Sequence, residues 1–88
     1  MGMSKRLDTS WIVIDSIEND QHDRCVDLFR RTDSSFGFEE FRRDVEDRGG
    51  WTPVAYFCSL SFPTETAARA AAASAIRWLA ELVPVSPL

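Results

Sequence analysis

The sequence predicts a two-layer α+β domain, in which an antiparallel meander of three to four strands is followed by one C-terminal helix packed on one sheet face. Three observations lead to this prediction. Short apolar segments with alternating patterns fill the first sixty residues, polar turn sequences separate them, and an alanine-rich segment with a clear start signal follows. A chain of 88 residues has room for one core, so we expect a single domain.

Four segments have the composition of strands. They are Trp11–Ile17, Arg24–Arg31, Phe36–Arg43 and Trp51–Leu60. The first is rich in β-branched residues and ends at the polar run "ENDQHD", where Asn19 and Asp20 favour a turn. Pro53 has no N–H group, which predicts a place near the start of the fourth strand or on a sheet edge.

The second and third strands are expected to form a hairpin whose turn length sets the faces of the sheet. A three-residue turn, Thr32–Ser34, aligns one apolar set on a core-facing side. That set is Val26, Leu28, Phe36 and Phe38. Phe29 and Phe41 then share the opposite face with Cys25. A turn of two or four residues would mix the two sets and leave each face half polar.

The C-terminal helix has the clearest local signals. Thr64 is a good N-cap, Glu65 places a negative charge in the first turn, and Phe62 precedes them as a hydrophobic staple. High helix propensity continues to Leu82, which gives a length of about 27 Å, and Pro84 helps to end the helix. We expect one buried stripe, formed by Ala68, Ala72, Ala75, Ile76, Leu79 and Leu82.

We divide the chain into a flexible N-terminal tail (1–10), the domain (11–83) and a C-terminal tail (84–88). The apolar run 11–14 is too short for an export signal, and charged residues interrupt the alanine-rich stretch, so neither predicts a membrane or secreted protein. We therefore expect a cytoplasmic protein whose Cys25 and Cys58 are reduced and buried. A disulfide between them is the alternative.

Residue types that could carry chemistry are present, but their spacing favours structural roles. His22 and Cys25 supply too few ligands for zinc, and no third group orients them as a nucleophile and base. The carboxylate pairs Glu39–Glu40 and Glu46–Asp47 are expected to be solvated, and neighbours on a strand point to opposite faces. The "RGG" run lacks the length of a phosphate loop. We predict no catalytic, cofactor or metal site, and no enzyme.

One helix covers one face of a sheet, yet the predicted strands carry apolar residues on both faces. An uncovered face with aromatics usually marks an interface. We therefore expect a homodimer or an unidentified protein partner at a surface formed by Phe29, Phe41, Trp11, Arg31, Arg43 and Trp51. The alternative is that sheet twist, the N-terminal tail and the loop 44–50 cover this face.

The arginines of the hairpin suggest a second function. Arg30, Arg31, Arg42 and Arg43 have aromatic neighbours, an arrangement that single-strand-binding sheets use to stack bases. A net charge of −4 and the many acids of the same segment oppose nucleic acid as a partner. The simpler interpretation is a hairpin with internally compensated charge. The sequence thus predicts an interaction module, with a nucleic-acid-binding or antitoxin-like regulator as the alternative.

Two segments also resemble known bacterial domains. "YFCSLSFPTETAARAAAASAIRWL" resembles the strand–turn–helix ending of small uncharacterised YegP-like domains, and "CVDLFRRTDSSFGFEEFRR" looks like their strand pair. The resemblance covers about 70 residues and implies a compact sheet-plus-helix module without an assigned reaction. A second similarity, to HicB-type antitoxins, lies in the Thr-capped, alanine-rich helix.

Overall fold

The computed structural model describes residues 8–43 and 50–82. A four-stranded antiparallel sheet followed by a C-terminal helical segment confirms the predicted α+β class. The strands are β1 (Ile12–Glu18), β2 (Arg24–Arg30), β3 (Phe36–Arg43) and β4 (Trp51–Pro53). They lie side by side in chain order, as a meander does. A 3-10 helix (Phe57–Ser59) precedes α1 (Glu65–Ala75) and α2 (Arg77–Leu82).

The β2–β3 hairpin has the three-residue turn that the apolar pattern predicts. The Arg31 N–H donates to the Ser35 carbonyl, and the Ser34 N–H donates to the Arg31 carbonyl. Ser34 has a φ of 72°, which is the left-handed conformation that ends a turn of this kind. Leu28 consequently lies opposite Phe38, so the predicted division of side chains between the two faces is confirmed.

The β1–β2 connection is built around the side chain of Asn19. Its amide oxygen accepts the N–H groups of Asp23 and Arg24, while the His22 N–H donates to the Asn19 carbonyl. The predicted turn position is therefore right. The pairing of β1 with β2 is interrupted by a β-bulge between Val13 and Asp15. Because a bulge inserts one residue, Ile14 has no partner of its own on β2.

The predicted fourth strand, Trp51–Leu60, is too long. Only β4 pairs regularly with β3, and Pro53 lies at its end on the edge of the sheet. Further on, Phe62 pairs with Phe36. Between these two pairings the chain uses eight residues where β3 uses four, and the 3-10 helix takes up the excess. Residues 51–62 therefore follow the outer edge of β3 as an interrupted strand.

The predicted single helix is divided at Ile76, whose φ of −118° and ψ of 106° are extended. Thr64 caps α1 as expected, since its hydroxyl accepts the Ala67 N–H. The Ile76 carbonyl then accepts the N–H groups of Leu79 and Ala80, which begins α2 in a new direction. Ile76 and Leu79 are both buried as a result. Ala75, the last residue of α1, and Leu82, the last residue of α2, were expected in the buried stripe but are exposed. The stripe was predicted for one continuous helix, which the break at Ile76 divides.

The main core lies between the helices and the face of β2 and β3 that carries Leu28. Its buried members are Val26, Leu28, Phe38, Ala68, Ala72, Ile76 and Leu79. Alanines on α1 allow the helix to approach the sheet closely, so the large side chains of the hairpin fill the layer between them. In the described part of the chain, no helix is long and apolar enough to cross a membrane.

The predicted tails and the second loop fall mostly on residues that the structure does not describe. Residues 1–7, 44–49 and 83–88, which include the Glu46–Asp47 pair and Gly49, lie outside the described residues. Residues 8–10 of the predicted N-terminal tail form a turn, closed by a hydrogen bond from the Trp11 N–H to the Asp8 carbonyl. The domain boundaries stay predictions.

Candidate interaction surface

The sheet face opposite the helices carries the aromatic rings that we expected a partner to cover. The structure instead places both rings inside the chain, since Phe29 is 0% exposed and Phe41 is 2% exposed. Trp11 stacks on Phe29, with 4.7 Å between ring centroids and 12° between ring planes. The expectation that these two rings are open is therefore wrong. Trp11, from the segment before β1, supplies part of the cover.

Arg31, which directly follows β2, completes the cover of these rings. Its guanidinium carbon lies 4.6 Å from the centre of the Trp11 ring and 5.0 Å from that of Phe29. The same guanidinium donates to the carbonyls of Cys58 (2.6 Å) and Leu60 (3.0 Å) in the segment that follows β4. It also donates to the Ser35 hydroxyl and the Phe36 carbonyl. Arg31 thus fastens residues 58–60 to the sheet.

Gly37 provides the space in which this arrangement fits. A Cβ atom at Gly37 would lie 2.8 Å from the Phe29 ring and 3.0 Å from the Arg31 guanidinium nitrogen. Gly37 is also the direct cross-strand partner of Phe29. Because position 37 carries no side chain, the ring and the guanidinium can lie flat on β3. The sequence contains this signal as a glycine in the interior of a strand pattern, where it usually marks a close approach.

The other two predicted surface residues form a separate cluster at the far end of β3. The Arg43 guanidinium carbon lies 4.8 Å from the centre of the Trp51 ring, and the same side chain donates to the His22 carbonyl. Trp51 is the cross-strand partner of Arg43 in β4. The six predicted residues therefore form two clusters with the buried Phe41 between them, rather than one continuous surface. Their role in binding stays a prediction.

The adjacent carboxylates Glu39 and Glu40 point to opposite faces, as predicted, but the expectation that they are solvated is wrong. Glu39 is 0% exposed and Glu40 is 6% exposed. Glu39 accepts the Cys58 N–H, which adds a second tie to the segment after β4. Glu40 accepts hydrogen bonds from Arg24 and from the Trp78 indole, so it joins the sheet to α2. Burial of the Glu40 carboxylate is tolerated because a charged guanidinium and an indole N–H both donate to it.

The predicted weakness of the His22 and Cys25 pair as a nucleophile and base agrees with their surroundings. His22 Nδ1 bonds Glu18, whereas the Cys25 thiol contacts the Ser16 hydroxyl and the Asp27 carboxylate. Burial raises the pKa of the Cys25 thiol to about 12. A thiol with so high a pKa stays protonated at neutral pH and is a poor nucleophile. No disulfide joins Cys25 and Cys58; Cys25 is buried as expected, whereas Cys58 is only half-buried. The described residues contain no group of three metal ligands.

The sequence did not predict that the first three residues of β1 have exposed apolar side chains. Ile12, Val13 and Ile14 are 54%, 46% and 39% exposed. They are consecutive and lie on an edge strand, where a row of backbone groups also faces outward. The apolar residues on both faces of this segment were a visible signal. The bulge at Ile14 and the position of β1 at the edge could not be derived from it.

Other exposed apolar residues differ from those of β1 in their backbone groups. Val54 and Leu60 lie in the segment along β3, and both use their backbone internally. The Val54 N–H donates to the Glu40 carbonyl, and the Leu60 N–H donates to the Phe57 carbonyl. The Leu60 carbonyl accepts from Arg31. These positions can contact a partner through side chains but have little backbone to offer, so β1 is the better place for strand addition.

Comparisons of the chain with protein-family models, curated proteins and solved structures return no match. The resemblance to YegP-like domains stays a prediction.

Proposed function

We propose that this protein is a non-enzymatic protein-interaction module that self-associates through the exposed edge strand β1. The observation that carries the proposal is the run of three exposed apolar residues, Ile12–Ile14, on a strand with an open edge. Exposed apolar edge strands are templates for pairing with another chain. The buried rings of the second sheet face support the edge over the face as the contact surface.

The size of the exposed stretch sets the expected strength of association. Stable protein interfaces bury about 1,200–2,000 Å² in total, which three partly exposed side chains per copy cannot supply. We therefore expect a weak homodimer with a dissociation constant of about 10 µM to 1 mM. The cytoplasm stays the proposed location, supported by two cysteines that form no disulfide with each other.

Sedimentation equilibrium over a wide concentration range tests this proposal. The wild-type protein should shift from monomer to dimer as its concentration rises. An Ile12→Lys/Ile14→Lys variant should stay monomeric, because charged residues on an edge strand oppose pairing. Val54→Lys/Leu60→Lys is the matched control, since it adds the same two charges at exposed residues that lie outside β1. A wild-type monomer at the highest concentration would contradict the proposal, as would equal losses in both variants.

The alternative, a nucleic-acid-binding or antitoxin-like regulator, has less support from the geometry. Of the four hairpin arginines, Arg31 bonds backbone carbonyls and Arg43 bonds the His22 carbonyl, so these two guanidinium groups already have acceptors. Retention of single-stranded DNA or RNA at low ionic strength that disappears with added salt would revive this function. The absence of retention at low ionic strength would exclude it.

A further inference from the structure

We infer that β1 pairs antiparallel with β1 of a second copy around a twofold axis at Val13. The inference rests on the proposed self-association and adds to it the partner strand and its register. Three properties of the described residues lead to it: the direction of the backbone groups at Val13, the closure of the edge on either side, and the order of the side chains.

The direction of the backbone groups follows from the hairpin. In an antiparallel sheet, successive residues direct their N–H and C=O groups alternately to one neighbour and to the other. The Arg31 N–H donates to the Ser35 carbonyl on the β3 side of the hairpin. The odd-numbered residues of β2, including Phe29, therefore direct their backbone N–H and C=O groups toward β3. Val13 is the partner of Phe29 on β1. The N–H and C=O groups of Val13 therefore point away from β2, toward an added strand.

The same edge is closed on both sides of this position. The Trp11 N–H donates a hydrogen bond to the Asp8 carbonyl, and the Ser16 N–H donates one to the Asp15 carboxylate at 2.9 Å. The β-bulge at Ile14 interrupts the regular strand between Val13 and Asp15. Only a short stretch centred on Val13 can accept another strand, and this restricts the register.

The order of the side chains makes that stretch self-complementary. An axis at Val13 places Ile12 opposite Ile14 of the second copy, so that β-branched side chains meet β-branched side chains. An axis at Ile14 would instead place Val13 opposite Asp15 and Ile12 opposite Ser16. In an isologous contact residue i meets residue j and j meets i, so the contact between Ile12 and Ile14 occurs twice, once on each side of the axis.

Charge also permits a second copy at this position. The chain has a net charge of −4, so two copies repel each other over most orientations. Residues 9–14 contain no charged side chain. The next acid, Asp15, is held by Arg69 at 2.8 Å on the helix side. The proposed contact therefore brings together an uncharged part of each copy.

Oxidative cross-linking tests the register. In a Cys58→Ser background, Val13→Cys places a thiol on the axis, where paired Cα atoms lie about 5.5 Å apart, within the range of a disulfide. Val54→Cys is the matched control, because Val54 is exposed to a similar extent but lies along the opposite edge. Under mild oxidation, we expect the new thiol of Val13→Cys to form an interchain disulfide. The thiol of Val54→Cys should remain free.

The outcomes separate this inference from the proposed function. A dimer in sedimentation whose Val13→Cys variant does not cross-link preferentially would overturn the register and leave self-association standing. A protein that is monomeric at all concentrations would overturn both. Preferential cross-linking of Val13→Cys, together with a monomeric Ile12→Lys/Ile14→Lys variant, would support both.

Discussion

The outer edge of β3 is closed by the protein's own chain, whereas among the described residues the outer edge of β1 is open over Ile12–Ile14. On the closed side, residues 51–62 follow β3 and are tied to it by Arg31 and Glu39. On the open side, a bulge and the Asp15 side chain limit the strand but do not cover it. The two edges of one small sheet are thus protected to very different degrees.

The difference shows what closure of an edge requires. An irregular segment cannot pair fully with a strand, so its free carbonyls need donors from elsewhere. Arg31 meets this need because a planar guanidinium presents five donors and can also stack on aromatic rings. Its path across β3 depends in turn on Gly37. No comparable side chain spans β1 in the described residues, which leaves that edge available to another chain.

Removal of Arg31 is the change that should break the closed edge most severely. Arg31→Ala should lower the free energy of unfolding by about 3 kcal/mol, because carbonyls of Cys58, Leu60 and Phe36 lose a charged donor and two rings lose their cover. Urea denaturation measures this loss. Arg31→Lys should rescue little of it, since an ammonium group cannot reproduce the planar contacts.

The neighbouring Arg30 supplies the control for this prediction. Arg30 is exposed and precedes Arg31 on the same hairpin, so Arg30→Ala removes an equal charge without the contacts. Its unfolding free energy should stay within about 0.5 kcal/mol of the wild type. Similar losses in both variants would mean that charge, rather than the ties of Arg31, holds the edge.

Gly37→Ala should also destabilise the edge of the sheet that Arg31 closes. The added methyl group would contact the fully buried Phe29 ring at 2.8 Å, which leaves the ring no room to shift without disturbing Trp11. We expect a loss of about 2 kcal/mol, the usual cost of overpacking a filled site. Denaturation of Gly37→Ala and of the double variant Gly37→Ala/Arg31→Ala would check it. The loss in the double variant should be smaller than the sum of the losses in the two single variants, because both substitutions disturb the same contact.

The closed edge also shows how far the sequence can be interpreted without coordinates. The alternation of apolar residues was sufficient to predict the hairpin, its three-residue turn and the faces of Phe38 and Phe29, because a slip by one residue would exchange the faces. The Thr64 cap was predictable for the same local reason. These features depend on residues that are neighbours in the sequence or across one turn.

Features that depend on distant residues could not be predicted. The burial of Glu40 requires Arg24 and Trp78, and the second of these lies 38 positions away. No proline or glycine marks the break at Ile76. The break is associated instead with tertiary contacts, because the chain beyond it buries Leu79 and brings Trp78 to Glu40. The proposed site at β1 belongs to the same class. Ile12 is the partner of Arg30 and lies on the helix side of the sheet, so its exposure depends on where the helix lies, which local pattern does not determine.

Asp15→Ala should sharpen the contrast between the edges by opening β1 further. The substitution frees the Ser16 N–H, so an added strand gains a backbone donor and dimerisation should strengthen by about 2- to 10-fold. Loss of the exposed Arg69 pair should cost at most about 1 kcal/mol of stability. Asp15→Asn is the matched control, since it removes the same charge but keeps an acceptor for the N–H. Equal strengthening in both variants would assign the effect to charge.

Ser34→Gly should have the smallest effect and the opposite sign. Ser34 holds a φ of 72° at the turn that leads from Arg31 into β3, a conformation that glycine adopts without steric cost. We expect stabilisation by about 0.5–1 kcal/mol, because relief of backbone strain exceeds the entropy that glycine adds to the unfolded chain. Ser34→Ala keeps the strain and should not stabilise. Thermal unfolding of the two variants distinguishes strain at this turn from a loss of the serine hydroxyl, and a gain in both would show that the turn is not strained.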